Sequence, residues 1–165
     1  MNINIRKATE NDIEIMTLIY NDSIKIFPPD QSAEGTKEIF AKTYNNDTVF
    51  IAEKTDTLET VGWISYNRQK KYILISGFYL LLKEQRKGIG ANILDYCINI
   101  WKKNNDKFII LKALKNAPWS IDFYKKNNFL IYKTNKKYEH DLNFLKSVKI
   151  DRWEILMYRK IPKSY

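Results

Sequence analysis

The apolar residues of this chain fall at two spacings, a period of two and a period near 3.6, and the switches between them mark its elements. Ile3 and Ile5 alternate with polar residues and predict a short first strand. Thr9-Glu10-Asn11-Asp12 then reads as a capping box opening a helix, in which Ile13, Met16, Tyr20, Ile24 and Phe27 share one face until Pro28-Pro29 ends it. Residues 33–44 are weakly helical, and 48–53, 61–66 and 72–82 read as three strands with short polar links, an antiparallel meander. From Ile89 the period becomes helical again: Ile89, Ile93, Leu94, Cys97 and Trp101 form the apolar stripe, while Asn92, Asp95, Asn99 and Lys102 face solvent. An apolar run at 108–113, a short helix at 118–127, a strand at 129–133 and a last strand at 152–158 complete the series. Residues 80–113 thus form one strand-helix-strand crossover.

The chain has 165 residues, the size of one domain with a single core, and residues 1–165 are read as such. No apolar stretch approaches the roughly 18 residues of a membrane span, and the first residues lack a signal-like apolar region, so a soluble cytoplasmic protein is expected. A single cysteine, Cys97, sits on the buried stripe and reads as core, not nucleophile; with one histidine, His140, no metal site is expected. The formal charge of +9 favours anionic ligands. The basic residues are scattered among acids and no recognition motif is present, which argues against a nucleic-acid-binding module.

The most informative segment is Gln85-Arg86-Lys87-Gly88-Ile89-Gly90-Ala91, between the long apolar strand and the amphipathic helix. Glycines let the backbone approach a ligand closely, and the first-turn N–H groups point outward with the positive end of the helix dipole behind them. The dipole contributes only about 0.3–1 kcal/mol. Tight binding therefore needs several N–H bonds to a charged acceptor, each about 1.5–3 kcal/mol, and a diphosphate can engage several at once. The segment is neither a Walker loop, which needs Lys-Ser/Thr after its last glycine, nor a dinucleotide fingerprint, which needs a third glycine.

It resembles the Gln/Arg-x-x-Gly-x-Gly/Ala signature of the GCN5-related N-acetyltransferases, which cradle the pyrophosphate of acetyl-coenzyme A. Asp122-Phe123-Tyr124-Lys125-Lys126-Asn127-Asn128-Phe129 resembles the second signature of that family, a short helix carrying Phe-Tyr that ends in Gly-Phe. Here Asn128 stands for the glycine, a mild departure, since Asn is the next choice for a left-handed helix terminator. The signatures come in the family's order and at about its spacing, and the resemblance covers most of residues 1–135 and the final strand. It implies an α/β (α+β) fold: a mixed, mainly antiparallel sheet of about seven strands with helices on both faces.

By this resemblance the main-chain N–H groups of Arg86, Lys87, Gly88, Gly90 and Ala91 hold the pyrophosphate, with Gln85 fixing the loop. Arg86, Lys87 and Lys125 either meet phosphates or are merely solvated. Gly77, inside the fourth strand, marks either the family's bulge, with main chain near Tyr79, Leu80 and Leu82 pairing with cofactor amides, or a glycine kept for packing. Asn116 either bonds the pantetheine arm or caps the helix. Tyr124 is the candidate acid for the departing sulfur, a phenol of ordinary pKa about 10 being a suitable donor to a thiolate. The fourth strand has no carboxylate to serve as base, leaving Glu53, water or a substrate whose amine has a low pKa. Trp63, Tyr66 and Tyr79 either border an acceptor pocket or are core. Residues 135–149 form a lid, a subunit contact or a plain surface excursion.

The implied activity is acetyl-CoA-dependent N-acetyl transfer to a primary amine, by direct transfer in a ternary complex, with a small-molecule amine favoured over a protein. A coenzyme A-binding protein without turnover is the alternative. Metals and membranes are not expected as partners, and a homodimer is admitted as the commonest oligomer.

Overall fold

Proline chemistry and side-chain caps set the first boundaries in the computed structural model, which describes residues 2–28, 32–133 and 140–162. Strand β1 spans Ile3–Lys7 and helix α1 spans Ile13–Ser23, joined by a 3-10 turn at Glu10–Asp12. The Thr9 N–H and hydroxyl both donate to Asp12 Oδ2, at 2.7 and 2.9 Å, so the predicted capping box forms. α1 stops at Ser23, short of the predicted Phe27. Phe27 precedes a proline, which disfavours helical backbone, and it is extended at φ −90°, ψ 152° after a 3-10 turn at Ile24–Ile26.

Helix α2 spans Lys37–Asn46, later than predicted, and the strands are β2 Thr48–Lys54, β3 Thr60–Arg68, β4 Ile73–Leu80, β5 Phe108–Leu114, β6 Leu130–Ile131 and β7 Glu154–Lys160. Helices α3, Ile89–Lys103, and α4, Pro118–Lys126, complete the series. The strands form one seven-stranded sheet in the order β1-β2-β3-β4-β5-β7-β6. β1–β2, β2–β3, β5–β7 and β6–β7 pair antiparallel; β4 and β5 pair parallel, as the crossover through α3 requires. The parallel register runs Ile73–Ile109, Leu74–Ile110 and Ile75–Leu111.

The chain divides into two compact units, Met1–Asn67 with Ser76–Ile100, and Arg68–Ile75 with Trp101–Tyr165. The first packs Met16 and Ile19 of α1 and Phe40 of α2 against Val49, Ile51 and Trp63. The second packs Phe108 and Ile110 of β5 against Leu156 and Tyr158 of β7. A 3-10 segment at His140–Ser147 adds Leu142 and Leu145, the latter 1% exposed. Residues 140–147 are therefore part of a core and not a plain surface excursion, while residues 135–139 lie outside the described residues. The stripe predicted for α3 is the buried one: Ile89, Ile93, Leu94, Cys97 and Trp101 are all 1% exposed or less. Among the described residues no helix is long and apolar enough to cross a membrane.

Arg6 of β1 ties this framework together, donating to Asp12 at 2.7 and 2.8 Å and to Glu53 of β2 at 2.7 and 3.0 Å. The guanidinium hydrogen bonds, aided by those from Thr9, hold the Asp12 carboxyl at about 2. A carboxyl whose folded pKa lies below its unfolded value stabilises fully above about pH 4 and loses that contribution as the pH falls toward 2. Discounted for solvent around the half-exposed arginine, it is worth about 1–2 kcal/mol. Asp12→Asn should be less stable than the parent by that amount at pH 7, with the gap closing near pH 2, as followed by urea melts across this range.

Candidate active site

At the end of β4 the chain is pinned before it turns. The Leu81 N–H donates to Val61 O at 3.0 Å, a 3-10 turn covers Leu82–Glu84, and the Gln85 side chain reaches back to Leu80 O at 3.4 Å. Through this bond Gln85 joins the two ends of the turn. The Leu82 N–H donates to Asp22 Oδ2 of α1 at 2.9 Å and is committed within the protein, while its carbonyl accepts the Gln85 N–H at 3.3 Å and keeps a second lone pair. That Leu82 N–H bond is the main reason the Asp22 carboxyl lies below its ordinary range.

Beyond Gln85 the backbone becomes left-handed twice, at Arg86 (φ 62°) and Gly88 (φ 83°). Alternating hand in successive residues turns N–H groups into one concavity, the shape of an anion nest. A Cβ built on Gly88 would find nothing within 4 Å. The space is open, so what requires glycine here is its φ and not protein packing. Asn92 N–H bonds Gly88 O at 3.1 Å; the N–H groups of Ile89, Gly90 and Ala91 are in the first helical turn, where the helix itself supplies no acceptor.

Glu84, 2% exposed, anchors this turn from below and was not singled out in the sequence. It accepts Lys54 Nζ at 2.7 Å and Lys87 Nζ at 3.2 Å, and Lys54 also reaches Glu59 at 2.9 Å. These bonds, Lys54 first, hold the Glu84 carboxyl below its ordinary range. Its only local signal was a glutamate three residues before Lys87. Lys87 and Arg86 are exposed, with the Lys87 ammonium on Glu84.

Gly77 has both properties that the sequence left as alternatives. A Cβ there would lie 2.7 Å from the Trp63 ring and 2.9 Å from Ser65 Oγ, while the neighbouring Ser76 Oγ is 2.8 Å from the same Ser65 Oγ. In a regular strand successive residues face opposite sides. Two in a row reaching one β3 side chain mean that the pleat is broken at Ser76-Gly77, as in a bulge. Trp63 is buried, its indole N–H donating to Met16 O at 3.0 Å, and Tyr66 is buried beside Phe50. Tyr79 is half-buried, its ring 4.8 Å from Trp63 and 5.0 Å from Tyr20, and burial raises its hydroxyl pKa.

In the second unit, α4 begins with Ala117 as N-cap and Pro118 at the first helical position. Asn116 is thus not the cap, although asparagine is the better capping residue. It is exposed, one residue ahead of the cap. Tyr124 is 8% exposed, edge-on to Phe123 at 5.2 Å and Phe129 at 5.4 Å. The helix closes with Phe129 N–H on Tyr124 O at 3.0 Å and Asn128 at φ 63°, the left-handed terminator predicted for that position. Lys125 is exposed, 3.8 Å from Asp122. Glu53 accepts both of its Arg6 hydrogen bonds on Oε1, at 2.7 and 3.0 Å, and burial pushes the Cys97 thiol up to about 12.

A mainly antiparallel seven-stranded sheet, with β4 delivering a left-handed glycine turn to the mouth of α3, defines an acetyltransferase-class fold. The chain matches the sequence profile of the Acetyltransferase (GNAT) family over residues 16–129, and it belongs to that family. No curated protein matches it in sequence. Among solved structures, it is similar to the PaiA N-acetyltransferase of Thermoplasma acidophilum in complex with coenzyme A (TM-score 0.77, 20% identity, 97% of this chain and 99% of that one). It is also similar to the ribosomal-protein-S18-alanine N-acetyltransferase of Escherichia coli (TM-score 0.74, 14% identity, 99% and 97%). A third similar structure is yncA of Salmonella typhimurium with its cofactor acetyl-CoA (TM-score 0.71, 17% identity, 100% and 97%). At these identities the likeness concerns the fold.

Proposed function

We propose that this chain transfers the acetyl group of acetyl-CoA to the nitrogen of a primary amine, directly and within a ternary complex, with a small-molecule amine as acceptor. The observation that carries this reading is the Arg86–Gly88 turn: left-handed backbone, an outward-facing helix start, and room at Gly88 that no protein atom fills. The main-chain N–H groups of Arg86, Lys87, Gly88, Gly90 and Ala91 bind the diphosphate, and Gln85, bonded to Leu80 O, keeps the turn closed. Main chain near Leu80, beyond the irregularity at Ser76-Gly77, and the Asn116 side chain orient the pantetheine arm.

Bound acetyl-CoA supplies the acetyl group as an activated thioester. For transfer, a nitrogen–carbon bond forms and the carbon–sulfur bond breaks; the ammonium gives up two protons, one to a base before attack and a second from the acylated nitrogen, which returns through water to Tyr124 after the Tyr124 proton has gone to sulfur. Tyr124 gives its hydroxyl proton to the leaving sulfur, a role supported by its place in the second family signature and by the packing of its ring between Phe123 and Phe129.

Release of free thiol from acetyl-CoA, measured with spermidine, free lysine, an aminoglycoside and a peptide with a free N-terminus, tests the reading. Turnover with at least one amine is expected, together with a rise in melting temperature on adding acetyl-CoA. A raised melting temperature with no thiol release from any of these would leave a coenzyme A-binding protein without turnover.

A further inference from the structure

The carboxylates of this chain that are not exposed have cationic partners, from Asp12 on Arg6 to Glu154 on Lys112, with one exception among the described residues. Asp47, between α2 and β2, is half-buried and has no ion pair, in a chain of formal net charge +9. Its partners are neutral. Oδ1 accepts from Asn67 Nδ2 of β3 at 3.2 Å, and Oδ2 accepts from the Ser76 hydroxyl of β4. α2 meets it only through main chain, the Asp47 N–H donating to Thr43 O. Arg68, the next charged residue along β3, has its guanidinium on Asp106.

Hydrogen counting gives Ser76 a direction. A hydroxyl has one proton and two lone pairs. Its proton is committed to Asp47, so in the 2.8 Å contact with Ser65 it must accept, which leaves one lone pair. Ser65 is fully buried, but Ser76 is exposed between buried Ile75 and Gly77, at the break in β4 that leads to the Gln85 turn. That remaining lone pair, polarised by an uncompensated carboxylate, suits an N–H⁺ donor.

We propose that Ser76 and Asp47 form the acceptor-amine subsite, and that the ligand it takes is an alkylammonium; this rests on the acetyltransferase reading above. The ammonium N–H donates to Ser76 Oγ. As that N–H bond breaks, its electron pair stays on nitrogen as the free amine, the proton passes to Ser76 Oγ, and the Ser76 proton passes to Asp47 Oδ2. Asp47 returns the proton to water between turnovers. Ser76 touches the substrate, and Asp47 acts through it.

The test compares Asp47→Asn, Asp47→Glu and Ser76→Ala with the parent, using the best acceptor of the four amines above at saturating acetyl-CoA. Asp47→Asn and Ser76→Ala should each lower kcat/KM for the amine about 100-fold at pH 7, at the lower end of the range for a lost acid–base group. Asp47→Glu should retain more activity than Asp47→Asn, and acetyl-CoA affinity should stay within about twofold. The deficit should shrink to about threefold by pH 10, where solution supplies the deprotonated amine. Parent-like kcat/KM in both Asp47→Asn and Ser76→Ala, or a deficit equal at every pH, overturns the proposal and leaves the acetyltransferase reading standing. A parent protein that binds acetyl-CoA but acetylates no amine removes both. Ser76→Ala removes one oxygen of an exposed residue and keeps the test decisive should the Asp47 variants fail to fold.

Discussion

Alanine at position 88 should leave the fold standing and cost about two orders of magnitude in affinity for acetyl-CoA. Two separate facts make the outcomes diverge. The backbone at Gly88 has φ 83°, which an L-residue adopts only at a penalty of about 1–2 kcal/mol, so stability should fall by about that much and no more. The added methyl meets nothing of the protein within 4 Å, so packing contributes no further loss. A diphosphate seated against this turn would meet that methyl directly. Losing two charge-assisted N–H bonds at about 1.5–3 kcal/mol each gives a loss of roughly 100-fold or more. Calorimetric titration together with a urea melt separates the effects. Affinity and stability falling by similar small amounts would show that Gly88 serves the fold alone.

Tyr124→Phe should lower kcat about 100-fold while leaving acetyl-CoA affinity unchanged. The substitution keeps the ring, and with it the edge contacts to Phe123 and Phe129, and removes only the hydroxyl. Stability should therefore fall by no more than about 1 kcal/mol, the net worth of one hydrogen bond. A positioned acid contributes about 10²–10⁴ to such reactions, and its loss should appear in the turnover step. The same kcat in Tyr124→Phe and the parent would remove Tyr124 from the chemistry. A rise in KM for acetyl-CoA at unchanged kcat would recast it as a binding residue.

Local patterns account for what the sequence made legible. The capping box at Thr9–Asp12, the buried stripe of α3 and the left-handed Asn128 all involve residues within a few positions of each other, where residue type nearly dictates backbone. The contacts that changed the picture of the site join residues far apart: Asp22 to Leu82, Lys54 to Glu84, Asp47 to Ser76. No periodicity carries that information, since it depends on the strand register and on which helix packs where. Glu53 shows the same dependence. In sequence it was a carboxylate at the end of the second strand; in the fold Arg6 holds it, and among the described residues the partly buried carboxylate without a cation is Asp47. The capping alternative for Asn116 fails for another reason. Capping preference favours Asn over Ala, but the helix begins at Pro118, whose φ is fixed for the first helical position, and that puts Ala117 at the cap.

Calorimetric titration of the parent protein with acetyl-CoA and, in parallel, with S-acetylpantetheine, which has the same thioester and arm without the phosphates, bears most directly on the Gln85–Ala91 turn. Binding of acetyl-CoA at least about 100-fold tighter than the truncated thioester is the predicted result, because main-chain N–H groups of the turn would provide most of the free energy. Equal affinity for the two compounds, or no heat with either, would contradict a diphosphate cradle at the mouth of α3.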